Sequence, residues 1–449
     1  MANRPILRTS ALALCIGGLA ACSGAADEEA TAPTTSQSGD TSTTSPPGPD
    51  ATISSSGPDE ASTSAVAAPG LGGELEVLDV TVTAPREVVT LDDGALLISD
   101  QAGLVHVVGA DGTARTEPLL DVSDSINTPN RRALEAGLAG FALAPDFAES
   151  GHFYTTTTHS PDDINASLPQ GTRQVSVLSR WTADPATLVT DPDSEEQLML
   201  LPSRDADHVG GEIVFDDQGL LYTALGAPSR DEVAQDPHSY PGTVLRIDPT
   251  PAEGAAQEDR AYGIPEDNPF ADGEGGLPEI YSYGYRNPWR LTWDAEHGLL
   301  VGEAMSRDKD QQLGQPAPGD DAGYPEVSGA CWEGDQVADA CQETEAGVPI
   351  APPVLEYGPQ VGEILSGVAI GTGGDLQGRV VVTDWLGDVL VADAGPAPWN
   401  YEVLTDGQEI VGRASYLWDV DAEPDGSLYV LTADRALSDG GGAVHRLAP

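Results

Sequence analysis

The chain has 449 residues with 20 Lys and Arg against 73 Asp and Glu, a formal net charge of −53. That balance excludes a nucleic-acid partner, because each phosphate contact needs a cation and the summed field repels a polyanion. Lys309 is the only lysine, which leaves Schiff-base and P-loop lysine chemistry almost without candidates; 39% hydrophobic residues are enough for a folded core, and 51 Gly with 36 Pro point to many turns.

Residues 1–21 read as a signal peptide. Arg4 and Arg8 form a basic start, and the apolar run from Ala11 to Ala21 is shorter than the roughly 20 residues a bilayer span requires. It ends Leu19-Ala20-Ala21-Cys22, which resembles a bacterial lipobox with Cys22 as the lipidated residue. An ordinary secretory signal with a chance cysteine is the alternative. The lipoprotein reading places the protein on the extracytoplasmic face of a cell membrane, held only by acyl chains at about 0.8 kcal/mol per buried methylene. Residues 22–70 are rich in Ser, Thr, Pro, Gly and acids with few large apolar side chains. Such chain cannot offset its ordering entropy, so it reads as a disordered tether.

From Leu71 to Pro449 short apolar runs alternate with turns in a repeated shape: an acidic turn, a glycine, a strand, then a second turn and strand. Asp92-Asp93-Gly94 leads to Ala95–Ile98, Asp216–Gly219 to Leu220–Tyr222, Glu296–Gly298 to Leu299–Val301, Gly378 to Arg379–Val382, and Pro424–Gly426 to Ser427–Leu431. Helical periodicity is scarce. Repeated hairpins over this length predict an all-β fold, a six-bladed β-propeller in which radial closure protects the strand edges. A β-sandwich is the alternative, but sandwiches are shorter and lack this self-similarity.

Among seven histidines, His106 and His445 alternate with apolar residues and read as structural. His152, His159, His238 and His297 sit in expected turns and read as solvated. His208 differs: it lies in Asp205-Ala-Asp-His-Val-Gly-Gly211 just before an apolar strand, where glycines permit close backbone approach and the imidazole can act as a general base. A second cluster, Tyr283-Gly-Tyr-Arg-Asn-Pro-Trp-Arg290, presents Arg286, whose planar fork of donors could meet an oxyanion or carboxylate; stacking on Trp289 or Tyr285 is the plainer role. Cys331 and Cys341 lie ten apart and are expected to form a disulfide in an exported protein, a two-cysteine metal site being the weaker alternative. The acidic stretches Asp191–Glu196 and Asp419–Asp425 do not match EF-hand spacing and read as solvated loops.

Taken together, these stretches resemble the glucose/sorbosone dehydrogenase family. The resemblance is carried by Glu135-Ala-Gly-Leu-Ala-Gly140, Asp207-His-Val-Gly-Gly211, Gly242-Thr-Val-Leu-Arg-Ile-Asp-Pro249, Asp267-Asn-Pro-Phe270 and Tyr283–Arg290, and by Cys331-Trp-Glu-Gly334. It implies a six-bladed propeller that oxidises a sugar or polyol hydroxyl by hydride transfer to pyrroloquinoline quinone (PQQ). On this resemblance His208 is the base, Arg286 lies over the quinone with Asn287 beside it, Glu135 lines the pocket, and the carbonyls of Met305 and Ser306 hold a calcium ion bridging the cofactor.

The same resemblance exposes departures. Ala227 stands where active relatives carry an aspartate that orients the histidine, Val209 where they carry asparagine, Leu386 where they carry lysine, and Tyr416 and Trp418 where they carry an Arg-x-Arg pair. Burying the cofactor's three carboxylates unpaired would be costly. A propeller that binds carbohydrate, protein or an ion without turnover is therefore the competing expectation.

Overall fold

The computed structural model describes residues 66–68, 73–127, 134–228, 232–250, 260–327, 329–385, 388–406, 415–438 and 440–447. The signal segment, Cys22 and the expected tether as far as residue 65 lie outside the described residues, as does Leu386. Among the described residues six antiparallel sheets of four or five strands follow one another along the chain, besides a two-stranded sheet of Trp332–Glu333 and Gln336–Val337. Blade 1 comprises Pro85–Thr90, Leu96–Asp100, Leu104–Val108 and Leu120–Asp121. Blade 2 comprises Leu138–Leu143, His152–His159, Gln174–Asp184 and Glu196–Ser203, with the short strand Val189–Thr190 on its edge; blade 3 is Ile213–Phe215, Leu221–Leu225, Thr243–Ile247 and Ile280–Tyr283. Blade 4 is Arg290–Asp294, Gly298–Glu303, Gln311–Gly314 and Leu355–Tyr357; blade 5 is Leu365–Ile370, Val380–Asp384, Asp388–Ala392 and Tyr401–Asp406. Blade 6 takes Ser415–Ala422, Leu428–Asp434 and Ala443–Leu447 from the end of the chain and Gly73–Val77 from its beginning.

That last pairing, with Val77 opposite His445 and Glu76 opposite Arg446, joins the two ends of the domain in one sheet, so no blade edge is left open between the first and last blades. The additional strand Val66–Ala68 pairs outside Gly73–Val77 and so reaches into the stretch expected to be tether. The turn between the first and second strands of every blade carries a glycine at positive φ: Gly94, Gly151, Gly219, Gly298, Gly378 and Gly426. This left-handed position is the physical basis of the sequence repeat, since glycine enters it without a Cβ penalty.

Apolar faces meet between blades. Each of the six interfaces holds its own cluster, for example Leu97, Val105 and Val107 of blade 1 against Phe141, Phe153 and Trp181 of blade 2, and Val88 and Ile98 of blade 1 against Tyr429, Leu431 and Val444 of blade 6. Each side chain buried in these wedges contributes about 1.5–3 kcal/mol, and the core is a ring of wedges with an axial channel through it. The first strands of all six blades line that channel, which opens into a cavity of about 520 Å³.

The channel lining corrects one reading. Asp419 and Asp421 lie within the first strand of blade 6, and Asp419 and Glu423 are buried, not in a solvated turn. Alternation along a first strand points every second side chain at a polar axis instead of an apolar core. There Arg290 forms a hub: its Nη1 pairs with Glu212 and Asp419, its Nε donates to the Ser366 carbonyl, and its Nη2 donates to the Trp418 carbonyl at 2.8 Å. Four blades are tied through one guanidinium. Asp421 and Glu423 accept the backbone N–H groups of Val88 and Thr90 at 2.9 and 2.7 Å, sewing blade 6 to blade 1.

Between the last two strands of blade 4, Cys331 and Cys341 form the expected disulfide with Cα atoms 5.5 Å apart. Packed against it are Val327 and Ile350.

Candidate functional site

Because the second strand of each blade runs antiparallel to the first, the loops that precede first strands and those that follow second strands meet at one mouth of the channel. The loop before blade 2 brings Glu135 there, the loop before blade 3 brings His208, and the loop before blade 4 brings Arg286 and Asn287. The loop after the second strand of blade 3 contributes Ala227, and those of blades 5 and 6 contribute Trp385 and Arg435. The sequence-derived residues His208, Glu135, Arg286 and Asn287 therefore converge.

His208 is 7% exposed and adopts φ 59°, an uncommon left-handed conformation for a non-glycine residue. Two neighbours hold it there. Its backbone N–H donates to Glu135 Oε2 at 2.6 Å, and its ring Nδ1 lies 2.7 Å from the Ala227 carbonyl oxygen. A carbonyl can only accept, so Nδ1 carries the proton and the neutral ring leaves Nε2 as its basic atom. Ala227 thus orients the histidine through its main chain, although its side chain offers nothing in place of the family's aspartate. Gly226 makes this approach possible: a Cβ there would stand 2.6 Å from His208 Cβ and 2.8 Å from Asn287 Oδ1.

The other members interlock. Asn287 Nδ2 donates to Glu135 Oε1 at 2.8 Å, so both carboxylate oxygens of the buried Glu135 are engaged. The Arg286 carbonyl accepts the Ala227 N–H at 2.8 Å, while Arg286 Nη1 donates to the Ala304 carbonyl at 2.6 Å. Two carboxyls beside this set titrate near neutrality. Burial, reinforced by Glu135 and Asp205, raises Asp207 to about 6. Burial raises Glu303 to about 7 against the opposing pull of hydrogen bonds from the Arg286–Asn287 backbone and of the Arg286 charge. Glu303 was missed in the sequence, where it ends a Leu- and Val-rich strand and carries no motif.

An aromatic group adjoins these residues. The indoles of Trp385 and Trp418 stack at 5.4 Å with planes 8° apart, Trp289 meets both edge-on, and Tyr416 lies 5.0 Å from Trp385. Leu134 and Ala304, the neighbours of Glu135 and Glu303, pack on the same group. The guanidinium of exposed Arg435 sits 5.6 Å over the Tyr416 ring and has no carboxylate partner among the described residues. Trp418 is completely buried, so position 418 is structural.

Met305 and Ser306 lie after the second strand of blade 4, at the same mouth. The Met305 side chain is buried against Ala227, Ala234 and Tyr324. The Ser306 carbonyl already accepts the Lys309 N–H at 2.8 Å and Gln311 Nε2 at 3.3 Å. No group of three or more His, Cys, Asp or Glu side chains converges as a metal site among the described residues. This donor set does not fit a calcium ion, whose six to eight oxygen ligands would need more than the Met305 carbonyl. Among the described residues no hydrogen bond joins the remaining histidines to His208, Glu135, Arg286 or Asn287. His152 and His159 begin and end a strand instead of sitting in turns. His297 is buried with Nδ1 2.8 Å from Asp294 Oδ1, which corrects its expected solvated state.

Comparison with known proteins shows the family and the fold. The family model "Glucose / Sorbosone dehydrogenase" matches residues 82–439. Aldose sugar dehydrogenase YliI of Escherichia coli (strain K12) is 30% identical over 308 residues, covering 66% of this chain and 74% of that protein. Quinoprotein glucose dehydrogenase B of Acinetobacter calcoaceticus is 27% identical over 213 residues, covering 43% of this chain and 40% of its own length. Among solved structures, the PQQ-bound aldose sugar dehydrogenase of Streptomyces coelicolor superposes with a TM-score of 0.59 at 22% identity, covering 84% of this chain and 99% of that one.

Proposed function

This chain belongs to the glucose/sorbosone dehydrogenase family, and from that premise we propose that it oxidises a hydroxyl of an aldose or polyol, with His208 as general base and PQQ as cofactor. The observation that carries the reading is the His208 ring, whose Nδ1 is committed to the Ala227 carbonyl at 2.7 Å so that Nε2 is the atom left to take a proton. PQQ, when bound, supplies the two-electron acceptor for the hydride.

The residues present suit such a group. A planar tricarboxylate calls for aromatic surface and for cations without acidic partners. The mouth offers the Tyr416 ring with Arg435 over it, Trp385 packed behind Tyr416 and itself buried, and Arg286, whose charge Glu303 offsets in part. In this reading Arg286 and Arg435 would meet the anionic groups of the cofactor, and Tyr416, backed by Trp385, would offer it aromatic surface. Nε2 of His208 accepts the hydroxyl proton as the C–H hydride leaves. Glu135 and Asn287 fix the backbone from which the imidazole projects, which keeps the base within reach of the hydroxyl. Anchoring at Cys22 on the extracytoplasmic face is part of the proposal, and would place the sugar outside the cytoplasm.

Titration of the purified protein with PQQ, followed by protein fluorescence with and without calcium, tests the reading. Saturable quenching, with dye reduction once aldoses are added, supports it. Absence of binding at high micromolar PQQ rejects it in favour of a second reading, a carbohydrate-, protein- or ion-binding propeller without turnover. The second reading draws on Trp418, whose complete burial removes position 418 from any cofactor contact.

A further inference from the structure

The hydrogen bonds around His208 form a closed circuit. The ring of His208 is held by the Ala227 carbonyl, and Ala227 N–H donates to the Arg286 carbonyl. The backbone of His208 is held by Glu135, which in turn accepts from Asn287. Both routes end on the same two residues, Arg286 and Asn287. Orientation of the base is therefore set by whatever fixes that turn.

The end of the second strand of blade 4 holds that turn. Glu303 Oε1 accepts the Arg286 N–H at 2.5 Å, Ala304 N–H donates to the Asn287 carbonyl at 3.0 Å, and the Ala304 carbonyl accepts Arg286 Nη1 at 2.6 Å. Only the first is a side-chain contact to the turn's backbone. A buried carboxylate is a costly choice for an N–H that a carbonyl could satisfy. Glu303 is 4% exposed and lies beside a cavity of about 30 Å³ lined by Tyr285, Gln312 and Gln315, room for about one or two waters. Its charge also attracts the Arg286 guanidinium, so one side chain sets both the backbone and the cation of the turn.

We infer that Glu303 is a positioning residue for the His208 base: its carboxylate holds the Arg286–Asn287 turn, and that turn holds both the ring and the main chain of His208. The inference rests on the reading of His208 as the base, but its structural half can be tested without cofactor or sugar.

The test uses the full-length mature protein with histidine labelled in the ring with 15N, the His208 resonances being assigned by their loss in His208→Ala. Ring shifts report which nitrogen carries the proton. In the wild type Nδ1 is protonated. Glu303→Gln keeps a carbonyl acceptor and should keep that tautomer. Glu303→Leu removes the acceptor, and Glu303→Asp keeps the charge but withdraws it by one methylene; both should shift population to the Nε2-protonated ring. With PQQ and an aldose, Glu303→Asp should lower kcat about ten- to a hundredfold with KM nearly unchanged, as expected for a misplaced base, and Glu303→Gln should recover most of the loss. Should the leucine variant not fold, the aspartate variant decides alone. Unchanged His208 shifts in a folded Glu303→Asp protein overturn the inference. A wild type with the expected ring tautomer that oxidises no sugar overturns the proposed function and leaves the role of Glu303 in orienting the ring standing.

Discussion

The two ends of the propeller axis are built from the same six strands and solve opposite problems. Where the first strands begin, His208, Arg286 and Asn287 are held by main-chain carbonyls and by Glu135 and Glu303, and among the described residues Nε2 of His208 and the guanidinium of Arg435 have no hydrogen-bond partner. Where the strands continue down the axis, polar groups are spent on one another. Arg290 is shared by Glu212 and Asp419, and Asp421 and Glu423 cap backbone N–H groups of blade 1. In the proposed reading one end receives a ligand, while the other closes the ring. A large buried ionic cluster is thus no sign of a catalytic centre here; the distinguishing feature is which polar atoms remain free.

That contrast can be broken by substitutions at either end. Arg290→Met should cost about 3–5 kcal/mol, because it leaves buried Glu212 and Asp419 without their cation; thermal unfolding measures it, and a stability within experimental error of wild type would deny the axis its structural role. Stability should also fall as pH rises. A carboxyl with a raised folded-state value holds its proton more tightly folded than unfolded, so its contribution is present below the unfolded value and is lost as pH climbs to the folded one. For Glu303, raised to about 7, that loss amounts to at most about 3 kcal/mol between roughly pH 4 and 7. Glu87, Asp419 and Asp421, raised by burial, act in the same direction. Glu303→Gln should therefore show a shallower decline in denaturant midpoint from pH 5 to 8, and equal slopes would contradict the assignment.

Gly226→Ala should cost about 1–3 kcal/mol through overpacking against His208 and Asn287 while disturbing turnover more than stability, since the contact lies at the site. The smallest effect belongs to Arg435→Ala. It should weaken PQQ about tenfold, about 1.4 kcal/mol, with no change in melting temperature; unaltered affinity would remove Arg435 from the cofactor's surroundings.

Much of the fold is legible in the sequence because its repeat has a local cause, the positive-φ glycine that turns the first strand into the second in each blade. Pairing of Gly73–Val77 with Ala443–Leu447 is not legible, since register across so long a separation leaves no local pattern. At the site, His208 and Arg286 stand out by residue type and local context, whereas Glu135 and Asn287 are legible only through the family resemblance. Glu303 does not stand out, because a glutamate ending a strand reads as solvent-facing until the fold lays the Arg286–Asn287 turn over it. Asp419 and Asp421 mislead for the converse reason: acidic alternation signals an exposed face in most sheets, whereas in a propeller's first strand it also signals the axis.

The central claim is that the free nitrogen of His208 performs the chemistry at the mouth. It is tested most directly by aldose-dependent dye reduction in wild type and His208→Ala, each saturated with PQQ. Turnover in the variant should fall by about 10²–10⁴ with PQQ affinity and melting temperature preserved; turnover equal to wild type would contradict the account.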